Sequence, residues 1–138
     1  MTLLETLAVL GMAGILAGTV VVGAGRQADR ARVTLAQAAI LDAYRAGRAA
    51  AETLNRGVEV VISQDSIVVR DPAHPERLPI RRRAGPGSVG VVATPATHTL
   101  TYAPSGLAVG VANTTHRLRR GTAERTVVVS RLGRLRVE

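Results

Sequence analysis

No cysteine occurs among the 138 residues, so a disulfide framework, a thiolate nucleophile and a thiolate metal site are all ruled out. Aromatic residues are nearly absent too, with Tyr44 and Tyr102 but no Phe or Trp. That argues against a single-stranded nucleic-acid reader that stacks bases on rings, and it leaves Val, Leu, Ile and Ala to fill any core. Lysine is missing as well, and all 18 basic residues are arginine. The three histidines, His74, His98 and His116, lie far apart in no ligand-like spacing. Each reads as a surface or loop residue, and neither a metal site nor a cofactor is expected. Ser63, Ser66, Ser88, Ser105 and Ser130 have no recognisable nucleophile setting, and the glycines of "AGPGSVG" do not lead into a helix as a phosphate loop does. No enzymatic activity is expected.

What is present is unevenly placed. Residues 1–76 carry seven arginines against eight acids, whereas residues 77–138 carry eleven arginines against two acids, Glu124 and Glu138. The net charge of +8 therefore comes from the C-terminal half. A coding preference can favour arginine over lysine, but it does not segregate it. Such asymmetry points to a polyanion or an anionic surface as partner.

The chain opens "MTLLETLAVLGMAGILAG", an apolar run holding one carboxylate, Glu5. From Thr6 to Gly25 there is no charge, and twenty residues at about 1.5 Å each give about 30 Å, one hydrocarbon thickness. A membrane span is expected there. An ionised acid beside it costs roughly 2.5–3.5 kcal/mol in lipid, so Glu5 needs a partner or a purpose. Gly14 and Gly18 form a small-xxx-small pair suited to close helix packing.

The helical period continues past Gly25. Val33, Ala36, Ile40, Ala43 or Tyr44, Gly47, Ala50 or Ala51, and Leu54 form an apolar stripe. Asp29 with Arg32, Asp42 with Arg45, and Arg48 with Glu52 stand at ion-pair spacing, and Asn55 and Gly57 are stop residues. One helix of about 53 residues is predicted, apolar over 1–25 and amphipathic over 26–56. Residues 57–138 then read as an antiparallel β domain packed on the amphipathic half. "VEVVIS" and "SIVVR" flank Gln64-Asp65 as a hairpin, and 70–88 is mostly loop with a short strand at Leu78 to Arg83. Further strands are predicted at "VGVVAT", "HTLTYA", "LAVGVA", "THRLRR", "RTVVVSRL" and "RLRV".

This order of parts resembles a mature type IV pilin or type II secretion pseudopilin. The resemblance implies an α+β pilin fold, in which a long N-terminal helix packs on a small antiparallel β-sheet domain. It also implies cleavage of a basic leader by a prepilin peptidase, N-methylation of Met1, and assembly through Glu5, whose carboxylate neutralises a neighbouring subunit's N-terminal amine. Met replaces the commoner Phe at the first position. Arg26, Arg30 and Arg32 follow the apolar segment and no basic residue precedes it, which by itself places the C-terminal domain in the cytoplasm. A removed basic leader reverses that orientation, so residue 1 is expected to be the first residue of the processed protein. Single-pass insertion in the bacterial inner membrane, then an extracellular or periplasmic filament, follows from the resemblance. The partners it implies are other pilin or pseudopilin subunits.

The C-terminal part, "LTYAPSGLAVGVANTTHRLRRGTAERTVVVSRLGRLRV", resembles the GspH and FimT branch, whereas Arg70 to Gly87 matches nothing nameable. FimT-like minor pilins carry a Gly-Arg-x-Arg motif linked to DNA capture for natural transformation, which here is Gly133-Arg134-Leu135-Arg136. In an extended segment Arg134 and Arg136 share a side about 6.5–7 Å apart, with Leu135 and Val137 turned to the core. Arg117 and Arg119 on one strand face, Arg120 at the turn, and Arg125 and Arg131 on the next strand could enlarge the patch. Three readings stay open: a filament subunit that binds double-stranded DNA through phosphates, a GspH-like secretion pseudopilin, and a purely structural subunit whose basic face pairs with acidic neighbours.

Overall fold

The computed structural model describes residues 3–110 and 112–138; between 4 and 23 the described side chains are Glu5, Leu7, Ala8, Leu10 and Met12. Helix α1 runs unbroken over Leu3–Leu54, a stretch that contains no proline. It stops where Asn55 takes a left-handed φ of 49° and the Arg56 N–H donates to the Ala51 carbonyl. Among the described residues no helix is long and apolar enough to cross a membrane, and the span expected at 6–25 falls where most side chains lie outside the description.

Along the second half of α1 the buried positions are Val33, Ala36, Gln37, Ile40, Ala43, Tyr44, Gly47 and Ala51, the predicted stripe with Gln37 added. Leu54 departs from it at 41% exposed, because the chain turns away one residue later. Gly47 is needed for close approach: a Cβ there would lie 2.2 Å from Val60 Cγ2.

The stripe packs on two antiparallel sheets. Strands β1 (Val58–Ser63), β2 (Ser66–Arg70), β3 (Arg81–Ala84), β5 (Thr97–Tyr102) and β6 (Ala108–Val109) form the first, in the order β3-β2-β1-β5-β6. Strands β4 (Val92–Thr94), β7 (Thr114–Arg120), β8 (Ala123–Val129) and β9 (Leu135–Val137) form the second, in the order β4-β7-β8-β9. Alternation sets the core: Val58, Val60 and Ile62, Ile67 and Val69, Leu100 and Tyr102, and Val127 and Val129 face inward. Gln64, at the tip of the β1–β2 hairpin, joins the sheets. Its side-chain amide donates to the Val91 carbonyl and accepts from the Ala93 N–H, so a side chain covers the outer edge of β4.

Several predicted boundaries shift, each for a local reason. The strand expected at Leu78 to Arg83 begins only at Arg81, because Pro79 donates no N–H and restricts Leu78 before it. "VGVVAT" starts as a 3-10 turn over Pro86–Val89, closed by Gly90 at φ 69°, and only Val92–Thr94 pairs. "LAVGVA" is reduced to Ala108–Val109 ahead of Gly110 at φ 81°. Strand β8 stops at Val129, before Arg131. Of the three helix ion pairs, Arg48–Glu52 forms at 3.0 Å, while Asp29 and Asp42 pair with arginines from the sheets. Strand pairing fixes the backbone that carries those sheet arginines, and each of the two aspartates meets them in place of its i+3 neighbour.

Candidate functional site

The arginines divide by whether a carboxylate meets them. Arg70 binds Glu59 across the β1–β2 pair at 2.6 Å, and Arg56 binds the buried Asp71 at 3.0 Å. Arg81 and Arg83, two apart on β3 and so on one side of it, both close on Asp42 of the helix at 2.9 and 3.0 Å. Arg120 binds Asp29 at 2.7 Å and donates to the Val89 carbonyl at 2.8 Å. Among the described residues no ion pair joins Arg117, Arg119, Arg134 or Arg136 to an acid.

Strand register assembles three of these four. On β7, His116 and Leu118 face the helix, so Thr115, Arg117 and Arg119 face out. Arg117 stands opposite Thr126 and Arg119 opposite Glu124 on β8, while Val128 links Thr115 to Arg136 of β9. Arg117, Arg119 and Arg136 therefore share the outer face of the second sheet, with Arg117 and Arg119 about 6.5–7 Å apart and Arg136 two strands away. That spacing lets separate guanidinium forks reach successive phosphates.

The other expected members lie elsewhere. Arg134 and Arg131 belong to the tight turn after β8, where the Ser130 N–H donates to the Arg134 carbonyl, the Gly133 N–H to the Ser130 carbonyl, and the Arg134 N–H to Ser130 Oγ. Gly133 has φ 74°, and a Cβ there would lie 3.1 Å from Tyr102 Cε1 and 3.2 Å from Ala108 Cβ, so the glycine of the motif lays this turn on the first sheet. Leu135 packs on the core as expected, but Val137 is 54% exposed, because β9 is an edge strand with nothing beyond it. Arg125 pairs opposite the inward-facing Leu118 and lies beside Arg30 and Val33 of the helix, away from the outer face. Arg120 is engaged by Asp29. A groove of about 750 Å³ runs along this edge, lined by Arg117, Arg119, Arg120, Val92, Thr94, Glu124 and Asp29.

The histidine expectation is overturned for His116, which is fully buried. Its Nε2 is hydrogen-bonded to the Tyr44 hydroxyl at 2.7 Å, and its ring meets His98 edge-on at 5.4 Å between centroids. Burial, reinforced by the field of His98, lowers the His116 pKa to about 4; burial also lowers that of His98. Burial raises the Tyr44 hydroxyl above its ordinary range and pushes Tyr102 up to about 12, partly opposed by Arg48. The signal for a core histidine was available in "THRLRR", where His116 holds the same alternate face as Leu118. His98, on β5, is half-buried and His74 lies in the proline-rich loop beside Glu76. Among the described residues no cluster of His, Cys, Asp or Glu could hold a metal ion. Glu5 sits exposed in the first turn of α1, and Met1 lies outside the described residues.

A family model described as "Type II transport protein GspH" matches residues 36–133, more than two thirds of the chain. The chain belongs to the GspH family. The match takes in the helix from Ala36 onward and the β domain up to Gly133. Among solved structures, this GspH-family protein is similar to the type IV minor pilin FimU of Pseudomonas aeruginosa. One crystal form superposes with a TM-score of 0.61 at 16% identity, covering 83% of this chain and 90% of that one. A second form gives a TM-score of 0.56 at 15% identity, covering 79% and 91%. At that identity the likeness is one of fold, and the fold is the α+β pilin fold. No curated protein gives a significant sequence match.

Proposed function

We propose that this GspH-family protein is a minor-pilin-like filament subunit whose second sheet binds duplex DNA through its phosphates. Residues 1–25 hold it in the inner membrane before assembly and pack in the filament core afterwards, while 26–56 and 57–138 form the displayed domain. Met1 is the N-methylated residue left by prepilin peptidase, and Glu5 is the assembly carboxylate, whose pairing offsets the cost of an acid in lipid. The observation that carries the DNA reading is that Arg117, Arg119 and Arg136 share one exposed sheet face with no ion-pair partner among the described residues. Contacts of this kind read charge and spacing, not base sequence.

The test is a salt titration of duplex binding by the full chain in neutral detergent. Affinity should fall linearly on a log–log plot, and Arg117→Ala, Arg119→Ala and Arg136→Ala together should flatten the slope by about 2.7. An unchanged slope removes these arginines from the site, and no binding by the wild type removes DNA as the ligand. Separately, Glu5→Ala should leave the β domain folded and abolish filaments; normal filaments would remove the assembly role. A second reading, a type II secretion pseudopilin, is favoured by the description of the matching family. Loss of cargo secretion with intact DNA uptake on deletion would select it.

A further inference from the structure

One arginine of the groove is already occupied, by an acid of the same chain. Arg120 donates from Nε to Asp29 Oδ1 at 2.7 Å and from Nη1 to the Val89 carbonyl at 2.8 Å. Two left-handed glycines clear the space for this arrangement. A Cβ on Gly90, at φ 69°, would lie 1.8 Å from Arg120 Nη1, and one on Gly121, at φ 55°, would lie 2.7 Å from Asp29 Oδ2. The pair is not sealed in: the two side chains keep 27% and 29% of their surface, on the wall of the groove that also holds Arg117 and Arg119. Asp29 thus sets a carboxylate beside the arginine cluster, where a phosphate would be drawn in by the same donors.

We propose that Asp29 is a built-in competitor for nucleic-acid phosphate at this groove, a regulation that rests on the DNA reading above. While Asp29 holds Arg120, the groove offers two free guanidiniums; when a phosphate displaces it, Arg120 becomes a third. The same exchange loosens the helix. Asp29 lies one turn before Val33, the first buried residue of α1 among the described ones, so its bond to Arg120 is the outermost polar tie between α1 and the second sheet among the described residues. DNA in the groove and the helix tie therefore compete for one guanidinium, and the grip on DNA is coupled to the grip on the filament helix.

The test is the same salt titration on the full chain. Asp29→Asn should tighten duplex binding about eightfold at 0.1 M salt and steepen the slope by about 0.9, one added phosphate contact. Asp29→Ser should do the same, which guards against a folding fault in either variant. Arg120→Gln alone should bind no more tightly than the wild type, and adding it to Asp29→Asn should erase the gain. Glu76→Gln, which removes an exposed acid from the loop after Asp71, at the C-terminal end of the helix and away from Asp29, should give no gain. If Asp29→Asn and Asp29→Ser match a wild type that does bind DNA, the competitor role is overturned and the DNA reading stands. A gain that survives Arg120→Gln, or that Glu76→Gln reproduces, reflects net charge alone and equally overturns it. A wild type that fails to bind overturns both.

Discussion

On the first sheet Arg70, Arg81 and Arg83 each meet a carboxylate within 3.0 Å, whereas Arg117, Arg119 and Arg136 on the second meet none among the described residues. Both sets come from strands of the same small domain, packed on the same helix. The difference lies in where acids fall. Residues 1–76 supply eight acids, and the helix brings Asp42 against β3, so Arg81 and Arg83 of the run Arg81-Arg82-Arg83 from the basic half share one carboxylate. The second sheet is built mostly from the stretch with two acids, and register sets Glu124 opposite only Arg119. A count of arginines does not locate an interface; the positions of their partners do.

The largest way to break this comparison is to disturb the joint between the two sheets. His116 of the second sheet touches His98 of the first and Tyr44 of the helix, and it stays neutral in the fold with a pKa near 4 against 6.5 unfolded. The unfolded chain therefore binds more protons between these values, and stability is full above about pH 6.5 and falls as pH drops toward 4. About 3 kcal/mol should be lost by pH 4, read by denaturant unfolding across the range. His116→Leu should flatten that profile; an identical pH profile in the variant would show that another group is responsible.

Charge removal sharpens the comparison at the surface. With the second-sheet arginines replaced, the salt-driven loss of DNA affinity between 50 and 200 mM should shrink by about 40-fold. Arg81→Ala with Arg83→Ala, on the first sheet, should leave the slope where it is and cost less than about 1 kcal/mol of stability. A parallel loss of slope in both variants would mean that the two sheets do not differ as ligand surfaces. A smaller effect than at His116 is expected where the sheets touch at their edges. Gly133→Ala places a Cβ against Tyr102 and Ala108 in a left-handed conformation and should cost about 1–2 kcal/mol in thermal unfolding. Its DNA slope should not move, since no outer-face arginine is displaced.

Much of this was legible beforehand. The helix, its stop at Asn55, the β1–β2 hairpin and the inward residues of the later strands all follow from period and turn chemistry, which are local. The basic half was visible as a count, and Arg117 with Arg119 as an alternating pair. Where Arg120 and Arg131 stand relative to that pair's face was not legible, because it depends on a distant partner or on a turn that the local pattern does not fix: Asp29 is 91 residues before Arg120. His116 was misread for the opposite reason, since attention to ligand spacing overrode an alternation that the sequence does contain.

By itself, then, the sequence determined a long helix with a one-sided apolar stripe, a β domain with an aliphatic core, and an excess of positive charge in its C-terminal half. These depend on neighbours within a few residues. Only the tertiary structure decided which arginines are neutralised, which groups the buried His116 meets and which strand edge Gln64 covers. Ion pairing and desolvation act over a few ångströms of space, whatever the separation along the chain.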